Sequence, residues 1–66
     1  MYELEELRKA ASKGTLLPNM DVQESVVFYT LRYCYQAYRK TPTEETKKRL
    51  KDFSDKVIAT HYGKHD

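Results

Sequence analysis

Glycine is almost missing from this 66-residue chain, which has only two. Gly14 and Gly63 each stand at the end of a helical pattern, so neither builds the glycine-rich loop that cradles a nucleotide phosphate. Cysteine is scarcer still. The one thiol, Cys34, has no partner for an internal disulfide and fits a reducing compartment. No stretch approaches the roughly 18 apolar residues of a membrane span, and the start, MYELEELRKAASKG, lacks the basic-then-apolar pattern of a secretory leader. A soluble protein of the cytoplasm, with no membrane partner, is the expectation. A strong charge of either sign is missing too: 12 Lys and Arg stand against 10 Asp and Glu, and a net +2 is too mild to imply nucleic acid by itself. Without a zinc pattern, a catalytic triad or a base beside Cys34, no enzymatic activity and no cofactor are expected.

What the chain does have is helical patterning, read here as one small domain over residues 1–66. Residues 2–13 carry Leu4, Leu7 and Ala11 at helical spacing, with acids early and bases late as the helix dipole prefers. The segment TLLPNM reads as an extended linker in which Leu16, Leu17 and Met20 plug the end of a helix pair. Asp21 with Glu24 forms a capping box for a second helix over 22–39. In KTPTEE, Thr41 reads as a cap, Pro42 as the first helical residue and Glu44 as the box acid of a third helix over 42–61. Its inner stripe is Thr46, Leu50, Phe53, Val57 and Ile58. The expected fold is all-α: a short N-terminal helix plus an antiparallel two-helix hairpin, completed by oligomerisation. The last element follows from size, because a chain this short buries only about 60% of its unfolded surface and has neither disulfide nor metal to help.

The central segment VVFYTLRYCYQAYRK holds four of the six tyrosines. At 100° per residue, Val27, Leu31, Cys34 and Tyr38 make one stripe, the natural seam for the third helix. Val22, Val26, Tyr29, Tyr33 and Ala37 make a second, which the first helix and linker cover in part and another copy covers in the rest. Phe28, Arg32, Tyr35 and Arg39 make a third, alternating rings with guanidiniums. Arginine stacks on rings and grips phosphate or carboxylate with its planar fork, so Arg32 and Arg39 are candidate anion ligands. Phe28, Tyr29, Tyr33 and Tyr35 would then supply stacking surfaces and hydroxyls. The plainer account has the arginines paired with acidic neighbours and the rings packed as core.

Other groups carry less. His61 and His65 have the four-residue spacing of paired metal ligands, but Gly63 interrupts the helix and no metal site is expected. Lys47, Lys48, Arg49, Lys51 and Lys56 would touch a nucleic-acid backbone if focused, yet they spread around the helix among Glu44, Glu45, Asp52 and Asp55.

Leu17-Pro18, Asp21 with Glu24, and then Leu31-Arg32, Tyr35 and Tyr38-Arg39 resemble a family of short phage- and prophage-encoded proteins of Gram-positive bacteria, which share a Leu-Pro turn followed by an L-R-x-x-Y-x-x-Y-R helix. The likeness covers about half of the chain, and KTPTEE departs from the glycine-containing turn such proteins often have. It implies a phage accessory protein in the bacterial host cytoplasm. By analogy with small helical phage proteins that trap immune signals between subunits, the leading expectation is a homo-oligomer. It would sequester a cyclic nucleotide or cyclic ADP-ribose-type molecule without turning it over. The alternatives are an inhibitor that binds a host defence protein, a small nucleic-acid-binding accessory protein, and a structural adaptor.

Overall fold

The computed structural model describes residues 2–62. Three helices follow one another: α1 (Leu4–Lys13), α2 (Val22–Lys40) and α3 (Glu44–His61); no strand occurs among the described residues. Helix α1 starts two residues later than its apolar spacing suggests. The Glu6 carboxylate accepts the Glu3 N–H at 3.0 Å, and the Glu3 carbonyl accepts from Glu6 and Leu7, which fixes the first turn at Glu3. Gly14, at φ 77°, ends the helix in the left-handed region that glycine enters without a Cβ clash. Thr15 then donates to the Ala10 carbonyl at 2.9 Å and Gly14 to Ala11 at 3.2 Å, the paired bonds of a Schellman stop.

From Gly14 the chain doubles back. Pro18 and Asn19 make the turn, with Asn19 at φ 59°, and the Tyr2 hydroxyl donates to the Pro18 carbonyl. Helix α2 therefore begins beside the start of α1 rather than its end. The Tyr2 N–H donates to the Glu24 carboxylate at one extremity, and Arg39 donates to the Ser12 carbonyl at the other. The two helices run side by side in the same direction. Leu17 and Met20 pack on the core as expected, whereas Leu16 is 62% exposed. Neighbours in an extended segment face opposite sides, so Leu16 and Leu17 cannot both turn inward.

Helix α2 has the expected reciprocal cap: Asp21 accepts the Glu24 N–H at 2.7 Å and Glu24 accepts the Asp21 N–H at 2.9 Å. Helix α3 corrects its sequence reading. Thr43, not Thr41, is the cap, accepting the Thr46 N–H at 3.2 Å, and Pro42 lies before the helix. Both threonines can cap, and the later register wins on charge. It sets Glu44 and Glu45 in the first turn, against the positive helix end. The inner face also shifts. Ser54 is the buried residue of α3 while Phe53 is 46% exposed, because the face meeting α2 steps through Leu50, Ser54 and Ile58. Gly63, expected to stop this helix, lies outside the described residues.

The core is Leu7, Ala10 and Ala11 of α1 against Val27, Phe28 and Leu31 of α2, with Phe28, Leu7 and Val27 sealed from solvent. Helix α1, despite its thin apolar stripe, is thus the tighter partner. Its two alanines permit a close approach of the helix axes. Helix α3 lies along another side of α2, where Cys34 Sγ sits 3.7 Å from the Leu50 carbonyl and the Tyr33 ring meets Phe53 edge-on. With α2 in the middle and α1 and α3 not in backbone contact, the molecule is a slab of 33 × 28 × 16 Å.

Candidate functional site

The six residues singled out on α2 separate into three places. Phe28 is sealed in the core and offers a ligand no surface. Tyr29 and Tyr33, 53% and 59% exposed, stand on one broad side of the slab with Val22 and the edge ring Phe53. Tyr29 also meets Phe28 edge-on at 5.1 Å. Between Val22 and Ala37 this side carries Ser25, Val26 and Gln36 but no charge, in a chain of which 33% is charged.

Arg32, Tyr35 and Arg39 do come together, in a groove of about 300 Å³ at the carboxyl end of α1. The first helix thus covers the ring-and-guanidinium stripe, where the sequence reading placed it on the Tyr29–Tyr33 stripe. The reason is electrostatic as well as apolar. Phe28 fills the core while the guanidiniums meet the negative end of the α1 dipole. Arg39 donates to the Ser12 carbonyl at 3.2 Å, and the Arg32 guanidinium lies beside Gly14. Ala10 and Ala11 are satisfied by the Schellman bonds, so Arg39 takes the next orphan carbonyl.

The opposite side of the slab holds a cleft of about 380 Å³ between α1 and α3, floored by α2. Leu31, Cys34, Tyr35 and Tyr38 form the floor and Leu50 one wall. Arg8 of α1 and Lys47 and Lys51 of α3 stand around it. Lys51 pairs with Asp55 at 3.3 Å; Arg8 and Lys47 form no salt bridge among the described residues. Burial pushes the Cys34 thiol up, which keeps it protonated at neutral pH and argues against a nucleophile. Of the sequence candidates only Tyr35 borders this cleft. Tyr38 and Leu50 were read only as seam residues and Lys47 only as part of a spread basic face, while Arg8 was not singled out, although Lys47, Leu50 and Ser54 recur at helical spacing.

At the far end of the slab a polar clasp joins all three helices. Glu24, 2% exposed, accepts from the N–H groups of Asp21 and Tyr2, and these bonds, Asp21 first, hold its carboxyl below the usual range. The Tyr62 hydroxyl donates to the Tyr2 carbonyl. Burial first, then the Glu24, Asp21 and Glu3 charges, push the Tyr62 phenol up. Among the described residues no cluster of His, Cys, Asp and Glu could hold a metal, and no helix is long and apolar enough to cross a membrane. His65, the second of the spaced histidines, lies outside the described residues. Comparison with protein-family models, curated proteins and solved structures gives no match to this chain.

Proposed function

We propose that the chain is a non-catalytic phage accessory protein of the bacterial host cytoplasm. It acts as a homo-oligomer that sequesters a nucleotide-derived signalling molecule in a pocket between subunits. The observation that carries this reading is the exposed aromatic face made by Val22, Tyr29 and Tyr33 of α2 with Phe53 of α3. Apolar side chains left open together in so small a chain mark an interaction surface. In this reading α2 and α3 form an antiparallel hairpin, and a second copy covers that face. Between Val22 and Ala37 the α2 part of the face has no charge to desolvate. Tyr29 and Tyr33 then supply rings at the seam, and Arg32 and Arg39, which line one groove with Tyr35, hold the phosphates.

Sedimentation at micromolar concentration is expected to report a dimer or larger, and Tyr33→Glu, which sets a charge in the seam, to report a folded monomer. A wild-type monomer of 7.8 kDa at every concentration overturns the oligomer. A thermal-shift screen with cyclic dinucleotides and cyclic ADP-ribose derivatives tests the ligand, with a shift expected for one class. The same exposed aromatic side favours one other reading, an inhibitor that binds a host protein. It is distinguished by a monomer that ignores nucleotides and forms a stoichiometric complex with one host effector.

A further inference from the structure

We infer that the cleft between α1 and α3 is a small-molecule site, and that its ligand class is a flat aromatic ring bearing one phosphate or carboxylate. The argument starts from what the cleft holds. Leu31 and Leu50 with the rings of Tyr35 and Tyr38 form a floor that water wets poorly, while the cations Arg8, Lys47 and Lys51 outnumber the one lining carboxylate, Asp55, which pairs with Lys51. A bare anion would satisfy the cations and leave the floor uncovered. An apolar molecule would cover the floor and strip water from the cations without replacing it. A ring with an anionic end meets both demands, with stacking on tyrosine and charge-assisted hydrogen bonds from arginine and lysine.

Size narrows the class further. Small-molecule sites run from about 300 to 1,000 Å³, and this cleft, at about 380 Å³, sits near the floor of that range. One ring system and one anionic group fit. A cyclic dinucleotide exceeds it. Three other grooves among the described residues lack the combination. One is lined by Asp21 and Glu24, one by the mixed charges of Glu6, Lys9 and Lys13, and one is the polar groove where Arg39 already binds the Ser12 carbonyl. The cleft opens on the side opposite the proposed seam, so the inference goes beyond the sequestration reading and does not rest on it.

Tyr38 and Leu50 line the cleft, and Tyr38 is 36% exposed, so their signals report its occupancy. The full chain is titrated with 2-naphthyl phosphate, 2-naphthol, inorganic phosphate and AMP, while the Tyr38 ring and Leu50 methyl resonances are followed by NMR. Naphthyl phosphate is expected to bind at least about ten-fold more tightly than either fragment and to shift both sets of resonances in proportion to occupancy. Arg8→Ala and Lys47→Ala, both on helix surfaces, are each expected to weaken it about ten-fold with the melting temperature unchanged. Equal binding of phosphate and naphthyl phosphate, no shift at Tyr38 and Leu50, or indifference of the Arg8→Ala/Lys47→Ala pair overturns the site. If a cyclic dinucleotide shifts the melting curve while these resonances stay unmoved, sequestration stands and this site falls. If naphthyl phosphate moves them while no signalling nucleotide binds, the site stands and sequestration falls.

Discussion

Replacing Leu7 by alanine should cost this protein a large part of its stability. Leu7 is fully buried at the middle of α1, facing Val27, Phe28 and Leu31, with Ala10 and Ala11 as its own neighbours. A Leu→Ala change in a core costs about 2–5 kcal/mol, the spread reflecting how far the surroundings collapse into the hole. Here collapse is hindered. The β-branched Val27 and the rigid Phe28 ring are held by α2, and the alanines have no length to extend, so about 3–4 kcal/mol is the expected loss. A domain of this length has about 3–10 kcal/mol in all, and each kcal/mol moves the midpoint by about 4–8 °C. A fall of about 12–32 °C follows. The matched control is Leu50→Ala on α3, which removes the same atoms from the wall of an open cleft and leaves no closed cavity; about 1–2 kcal/mol is expected. Far-UV circular dichroism melts and urea titrations of the two variants, at equal concentration, make the comparison. If Leu50→Ala is the more damaging, α3 supplies the principal packing and the α1–α2 core is misassigned.

Thr43→Ala should destabilise by about 1 kcal/mol by removing the α3 cap, whereas Thr41→Ala should change the melting temperature little. Gly14→Ala must place a Cβ in left-handed backbone and 2.7 Å from the Arg32 guanidinium, so a loss of about 1–3 kcal/mol is expected in the same melts. The Glu24 carboxyl, ordinarily near 4.5, is lowered in the folded protein, so its stabilising share is complete above that value and lost as pH falls through the folded one. Wild type should therefore lose stability on acidification below about pH 4.5, and Glu24→Gln, weaker near neutrality, should show a flatter acid limb. Equal slopes for the two proteins would remove Glu24 from the acid response.

How the sequence spoke depended on whether a signal was local. Asp21 with Glu24, and Gly14, carry their meaning within four residues, and the structure uses them as read. The pair Thr41 and Thr43 around Pro42 offered two caps, and the choice turned on where Glu44 and Glu45 fall relative to the helix end. Harder to see was which neighbour covers which face of α2. Periodicity sorts residues into stripes but carries no label for the occupant. Nothing local says that Pro18 and Asn19 turn the chain back, so that α1 lies on the Phe28–Tyr35 stripe. Nor does anything local show that Arg39 meets the Ser12 carbonyl 27 positions away, or that Arg32 lies beside Gly14. The cleft was hidden similarly, since Arg8, Tyr38 and Lys47 come from three helices and share no local pattern.

The doubling back after Gly14 also bears on the order in which the fold can assemble. Helices α2 and α3 touch across 16 positions, at Cys34 and Leu50, while α1 and α2 touch across 22 to 27. The nearer encounter closes the shorter loop but buries only Ser54 of α3; the farther one buries Leu7 and Phe28. On a ribosome the asymmetry is sharper. Helix α1 emerges before its partner has been made, and ten residues of helix do not hold alone in water. It waits as loose chain until α2 is out, and only then can the core be sealed.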